Sequence, residues 1–111
     1  MPEKKRIIVI GGSAAGPKAA AKARRMDENA EIMIIQKAPD LSMASCGYPY
    51  YVGGFFNDRN QLLCTPTGVV RDPKFYLNAK GIVARTETEA LKIDKKNKTV
   101  LVKDLKSGTE E

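Results

Sequence analysis

Two stretches in the first half of the chain carry residues whose type and spacing suit chemistry. The first is Gly11-Gly12-Ser13-Ala14-Ala15-Gly16, which follows the apolar run Ile7-Ile8-Val9-Ile10. A glycine-rich turn between a strand and a helix is suited to holding a pyrophosphate. Gly11 permits the sharp turn off the strand, a small residue at position 13 lets backbone approach the phosphates, and Gly16 lets the helix lie close on the sheet. The helix start then offers unpaired N–H groups and a partial positive charge. Ser13 stands where the dinucleotide fingerprint has its second glycine. The second stretch runs from Ser42 to Gly54 and holds Cys46 with Tyr48, Tyr50 and Tyr51. Pro49 suits the first turn of a short helix, with Ser45 or Cys46 near its N-cap. A thiol so placed faces backbone N–H groups that favour thiolate over thiol. The other reading is that Cys46 is a small buried apolar residue, the usual fate of a lone cysteine. Position alone leaves both open.

The elements that must position these residues are readable on either side of them. Ile7–Ile10 reads as a strand buried on both faces. A helix follows from about Ser13 to Met26, with Pro17 in its first turn, where a missing N–H costs little. Its alanines form a thin face for a sheet, while Lys18, Lys22 and Arg25 gather on another face. Such a stripe is either the solvent side or a contact for a phosphorylated substrate. Glu31–Gln36 is a second buried strand, made parallel to the first by a right-handed crossover. The end of this strand is where a dinucleotide site places its ribose-binding acid, about 20 residues on. Here it is Gln36, whose amide hydrogen-bonds a hydroxyl without the charge-assisted grip of a carboxylate.

Residues 55–71 read as loop or short helix, and Cys64 as structural. Asp72 then caps a helix that has Pro73 at its first position and stops at Gly81. Ile82–Arg85 is a strand. Residues 89–94 and 99–105 alternate apolar and polar around Lys95–Lys98, which predicts a hairpin. A further turn begins at Lys106, and a third hairpin strand is expected after it.

Composition narrows the class. At 111 residues, with 29% charged and 42% hydrophobic residues, the chain reads as one soluble α/β domain over 1–111. The net charge is +6, but aromatics do not interleave with a basic stripe, which argues against a nucleic-acid partner. The basic start at Met1–Arg6 leads into an apolar run too short for a signal peptide or a membrane span, so the cytoplasm is expected. Two cysteines in no framework fit a reducing compartment, and without histidine no metal site is expected.

Taken together, IIVIGGSAAG, AAAKARRMDENAEI, SMASCGYPYYVGG and VLVKDLKSGTEE resemble the FAD-dependent pyridine nucleotide–disulfide oxidoreductases. The similar branch is the single-cysteine one: coenzyme A-disulfide reductase, NADH oxidase and peroxidase, and NADH-dependent persulfide reductase. The likeness covers essentially the whole chain, and Ser42-x-x-x-Cys46-Gly47-x-Pro49-Tyr50 is its most specific part. In that branch a small non-glycine residue commonly replaces the second fingerprint glycine, as Ser13 does. The resemblance implies a Rossmann-like FAD-binding domain, a parallel sheet with an antiparallel hairpin or meander in three layers. It implies that Gly11, Gly12, Ser13, Ala14, Ala15 and Gly16 hold the FAD pyrophosphate. Gln36 and Lys37 would lie near the adenosine ribose, and the backbone at Ala90 beside the adenine. Cys46 is implied as the redox centre against the flavin, with Ser42 and Ser45 lining the thiol channel and Lys22 meeting a coenzyme A phosphate.

Electrons would pass from NAD(P)H through FAD to a disulfide or persulfide of coenzyme A type. A single cysteine must then cycle through a mixed disulfide, a persulfide or a sulfenic acid. The alternatives are an NADH oxidase or peroxidase working through a Cys46 sulfenate, and a dinucleotide-binding piece without catalysis. The resemblance further implies that the chain is an N-terminal part ending inside the flavin domain. The NAD(P)H domain would lie elsewhere, the whole enzyme would be a homodimer, and this piece would self-associate through an open strand edge.

Overall fold

A computed structural model describes residues 5–65 and 69–111; Met1–Lys4 of the basic start, and Pro66, lie outside the described residues. Three strands, β1 (Arg6–Ile10), β2 (Glu31–Ile35) and β3 (Val83–Arg85), form a parallel sheet in the order β1-β2-β3. The register sets Arg6 opposite Glu31 and Ile10 opposite Ile35, and then Met33 opposite Val83. Runs of β-branched residues favour this extended, half-buried geometry. Parallel neighbours need crossovers, and helices supply them: α1 (Ala15–Met26) joins β1 to β2, and α3 (Pro73–Lys80) leads into β3.

The core lies between the helices and one face of the sheet. Ala20, Ala30, Ile32, Ile34, Leu41, Tyr76 and Ile82 are buried there, with Ile7, Val9 and Phe75 packed against them. Ala20 has no exposure, because alanine lets α1 approach the strands closely. The other face differs from the sequence expectation. Ile8 and Ile10 are 45% and 48% exposed, so β1 is covered on one face only. The reason is alternation: Ile7 and Val9 face the helix-covered core, so Ile8 and Ile10 point to the other face of the sheet.

Helix ends follow their local chemistry. Asp72 accepts a hydrogen bond from the N–H of Phe75 at 2.8 Å, Pro73 opens α3, and Gly81 closes it in the left-handed region at φ 63°. The α1 helix starts two residues later than its sequence suggests, at Ala15, because Ser13 and Ala14 belong to the glycine turn. Arg24 ties the two helices together at their C-terminal ends. Its guanidinium donates to the carbonyls of Lys80 and Gly81 from α3, and of Asp27 and Glu28 after α1.

The chain then forms an antiparallel hairpin, β4 (Thr88–Asp94) and β5 (Thr99–Asp104), with a register shift between Ala90 and Lys92. Past the turn at Lys106–Gly108 the backbone returns along β5, where Val102 and Glu111 exchange N–H and C=O bonds at 2.8 and 2.9 Å. Within 55–71, a 3-10 turn at Arg59–Leu62 and a single bridge between Cys64 and Val70 are the ordered features among the described residues. No helix among the described residues is long and apolar enough to cross a membrane.

Candidate functional site

In an open parallel sheet the strands' C-terminal ends are the place where ligands bind. Here those ends meet the glycine turn and the 36–47 segment. Gly11 has φ 107°, a conformation that L side chains rarely adopt, and its N–H bonds the Ile35 carbonyl at 2.8 Å. A Cβ on Gly16 would fall 1.7 Å from the Gly11 carbonyl oxygen, so only glycine lets α1 start this close to the turn. The N-cap of α1 is Ala14, and no side chain caps it. The first N–H groups of the helix therefore have neither an intrahelical partner nor a side-chain cap, which suits an anion. Ser13 is exposed beside them.

Gln36 is 8% exposed and turned into this loop. Its Oε1 accepts the N–H of Gly12 at 3.0 Å, and its Nε2 donates to the Asp40 carbonyl at 3.0 Å. The sequence assigned it to a ribose; in the structure its amide is engaged by the chain itself. Lys37 forms an ion pair with Glu89 at 3.6 Å, and Ala90 follows Glu89 in β4, so these two residues named for the adenosine end do come together.

The Cys46 segment is fastened to the same turn. The Ser42 N–H donates to the Gly12 carbonyl at 2.8 Å, and the Ala44 N–H to the Leu62 carbonyl at 2.8 Å. Ser42 has φ 55°, sparsely populated for a non-glycine residue, and its hydroxyl bonds the hydroxyl of Tyr76. Tyr76 is buried on α3, 34 residues away. No local pattern links it to Ser42, which is why sequence reading missed it. Ser45 opens a 3-10 turn, Ser45–Gly47, that carries Cys46, and α2 (Tyr48–Val52) follows with Pro49 in its first turn.

Two expectations about the thiol are revised. Cys46 is exposed, so the buried apolar reading does not hold. The N-cap of α2 is Gly47, and Cys46 precedes it by one residue. A helix of five residues carries little macrodipole, so the thiolate argument from a helix start loses its main support. Exposure and attachment to the turn remain.

A groove of about 400 Å³ opens beside Ser42, lined by Ser13, Met43, Ala44 and Tyr76 together with Lys18, Arg25, Arg71 and Lys80. It is lined by four cations and no carboxylate. Among the described residues none of those cations is in an ion pair. Lys22, singled out from the sequence, is exposed and does not line it; its neighbours Lys18 and Arg25 on α1 do. Arg71 and Lys80 escaped notice because distant segments bring them there. A larger groove, about 720 Å³, lies at the opposite ends of the strands, around Arg6, Glu31 and Val83.

A strand, a glycine turn with a left-handed first glycine, an uncapped helix start and a parallel second strand define a dinucleotide-binding α/β domain. The chain belongs to the pyridine nucleotide-disulphide oxidoreductase family, whose sequence profile matches residues 5–111. It is 36% identical over 98 residues to the coenzyme A disulfide reductase of Staphylococcus haemolyticus (strain JCSC1435), a match spanning 88% of this chain and 21% of that protein. Among solved structures, it resembles an NAD-dependent persulfide reductase from A. fulgidus, with TM-score 0.91 and 40% identity over 96% of this chain and 19% of that one. It also resembles a water-forming NADH oxidase from Lactobacillus brevis, with TM-score 0.82 and 26% identity over 97% of this chain and 22% of the other. The chain thus spans about a fifth of the length of these relatives.

Proposed function

We propose that the chain is the FAD-binding part of an oxidoreductase that passes two electrons from NAD(P)H through FAD to a disulfide or persulfide of coenzyme A type at Cys46. The observation that most supports this is the bond from the Ser42 N–H to the Gly12 carbonyl. It fastens the segment bearing an exposed thiol to a turn shaped for a pyrophosphate.

The residues present fit the cofactor. Gly11 and Gly16 leave the backbone bare, and the uncapped start of α1, from Ser13 to Ala15, supplies N–H donors for the diphosphate. On this reading Lys37 and the backbone at Ala90 would hold the adenosine end, a role supported by the ion pair of Lys37 with Glu89 that draws the two segments together. When bound, FAD supplies two-electron transfer between a nicotinamide and sulfur; the nicotinamide is bound by residues outside this chain. The Cys46 thiolate attacks one sulfur of the substrate disulfide, forming a mixed disulfide and releasing one thiolate. Two electrons supplied by NAD(P)H would then break that bond, restoring the Cys46 thiolate and freeing the second sulfur as a thiolate, which takes its proton from solvent. The groove of Lys18, Arg25, Arg71 and Lys80 gives a multiply phosphorylated substrate its charge complement, with Ser42 at the border with the thiol. On this reading the complete enzyme is a cytoplasmic homodimer.

A second reading has one specific support, the likeness to a water-forming NADH oxidase: Cys46 then cycles through a sulfenic acid. One experiment tests the first reading, which also requires that the parent enzyme turn over coenzyme A disulfide. In the enzyme carrying this chain, Cys46→Ser is expected to leave flavin reduction by NAD(P)H intact in stopped flow and to reduce coenzyme A disulfide turnover to background. Cys64→Ser is expected to retain turnover. Full turnover in Cys46→Ser, or its loss only in Cys64→Ser, overturns the assignment.

A further inference from the structure

We propose that Gln36 is a positioning residue that holds the glycine turn in its phosphate-binding shape before any ligand arrives, and that the role requires one acceptor and one donor at the tip of the same side chain. The proposal rests on reading the turn as a dinucleotide site.

The orientation of the amide is dictated by its partners. The Gly12 N–H can only donate, so the atom 3.0 Å from it is Oε1. The Asp40 carbonyl can only accept, so the atom 3.0 Å from it is Nε2, which also reaches the Ser13 hydroxyl at 3.5 Å. Gly12 is then gripped from both sides, since its carbonyl accepts the Ser42 N–H. Asp40 is anchored in turn by Arg59 at 2.6 Å. A single buried amide thereby links the phosphate turn to Asp40, early in the loop that leads to Cys46, while the Ser42 N–H ties the same turn further along it.

A carboxylate does not perform this task. It has acceptors only, so it holds Gly12 but sets an oxygen against the Asp40 carbonyl oxygen. The amide is therefore more than a weakened copy of the ribose-binding acid usual at this position. It exchanges part of a ligand contact for a turn that is formed in advance, which lowers the ordering cost at binding.

The test is amide hydrogen exchange in the ligand-free chain, read as protection factors, beside a fluorescence titration of the apo form of the enzyme carrying this chain with FAD. In Gln36→Met, which keeps the length and loses both polar atoms, protection at Gly12 and Ser42 is expected to fall about tenfold. In Gln36→Glu at neutral pH, Gly12 is expected to stay protected while Ser42 loses protection. As pH falls and the new carboxyl gains its proton, its O–H replaces the amide donor and protection of Ser42 returns. The charged groups around this position are Asp40 with Arg59, Lys37 with Glu89, and Arg85 with Glu111. All are present in the parent, so the difference between the two pH profiles belongs to residue 36.

Unchanged protection in Gln36→Met, or a Glu variant with the parent's pH profile, overturns the proposal. FAD affinity is expected to fall about tenfold in Gln36→Met; equal affinity overturns the positioning role. An enzyme carrying this chain that binds no FAD overturns the dinucleotide reading, and with it the claim that the amide serves a ligand, while exchange still decides whether the turn is held.

Discussion

At the scale of single residues, the chain rests on atoms that leave no room for substitution. Gly16 is the clearest. Its missing side chain is the space taken by the Gly11 carbonyl oxygen, and the obstacle to any replacement is backbone, which cannot rotate away. Gly16→Ala is expected to cost roughly 3 kcal/mol, seen as a lower thermal midpoint by circular dichroism. An unchanged midpoint would mean that α1 does not start where the structure places it. Sequence pattern found Gly16 because the fingerprint spacing is local. It did not reveal what the Gln36 amide bonds within the chain, because the atoms that use it, on Gly12 and Asp40, are set by the three-dimensional path of the loop.

At the scale of elements, caps and turns were the most legible features. The Asp72-Pro73 start and Gly81 stop of α3 follow from side-chain hydrogen bonding and backbone freedom, both visible in a few consecutive letters. The hairpin follows from alternation, and its turn shows why it is tight. Asp94 accepts from the N–H groups of Lys96 and Asn97 and from the Asn97 side chain. The Asn97 backbone bond, followed by its side-chain bond, lowers the Asp94 carboxyl below its ordinary value. A group lowered in the folded state adds stability that is present above its unfolded pKa and lost as pH falls through its folded pKa. The hairpin is therefore expected to loosen on acidification below the ordinary aspartate range. Asp94→Asn is expected to flatten that dependence, with exchange of the Lys96 and Asn97 amides as the measurement. Equal acid sensitivity in parent and variant would assign the effect to other carboxylates. The 3-10 turns at Ser45–Gly47 and Arg59–Leu62 left a weaker trace in the sequence, because residues outside them support their shape.

At the scale of the whole molecule, the parallel sheet, the crossover helices and the separate hairpin were all legible, since each rests on a period or a cap. The arrangement of the two grooves was not, because their walls come from segments far apart in the chain. Burial of β1 on both faces was an over-reading of four apolar letters. Its open edge and the exposed Ile8, Ile10 and Val83 have a consequence for the 111-residue chain by itself. An unpaired edge whose one charged residue, Arg6, lies at its start, beside an apolar face, favours pairing with a second copy. The chain is expected to form dimers or larger species at micromolar concentration, measured by sedimentation, and Ile8→Lys to shift it toward monomer. A strictly monomeric parent would refute this.

The grip of Gly12 by Gln36 and Ser42 also bears on the order in which the molecule is made. The phosphate turn, its clasp and the thiol all precede α3 in the chain, although the clasp itself joins residues 24 apart and so needs a loop to close. The buried Tyr76 follows them on α3 and bonds Ser42. A chain ending ahead of residue 76 would carry the site as a loosely drawn outline, and α3 would have to dock on the sheet before it becomes rigid.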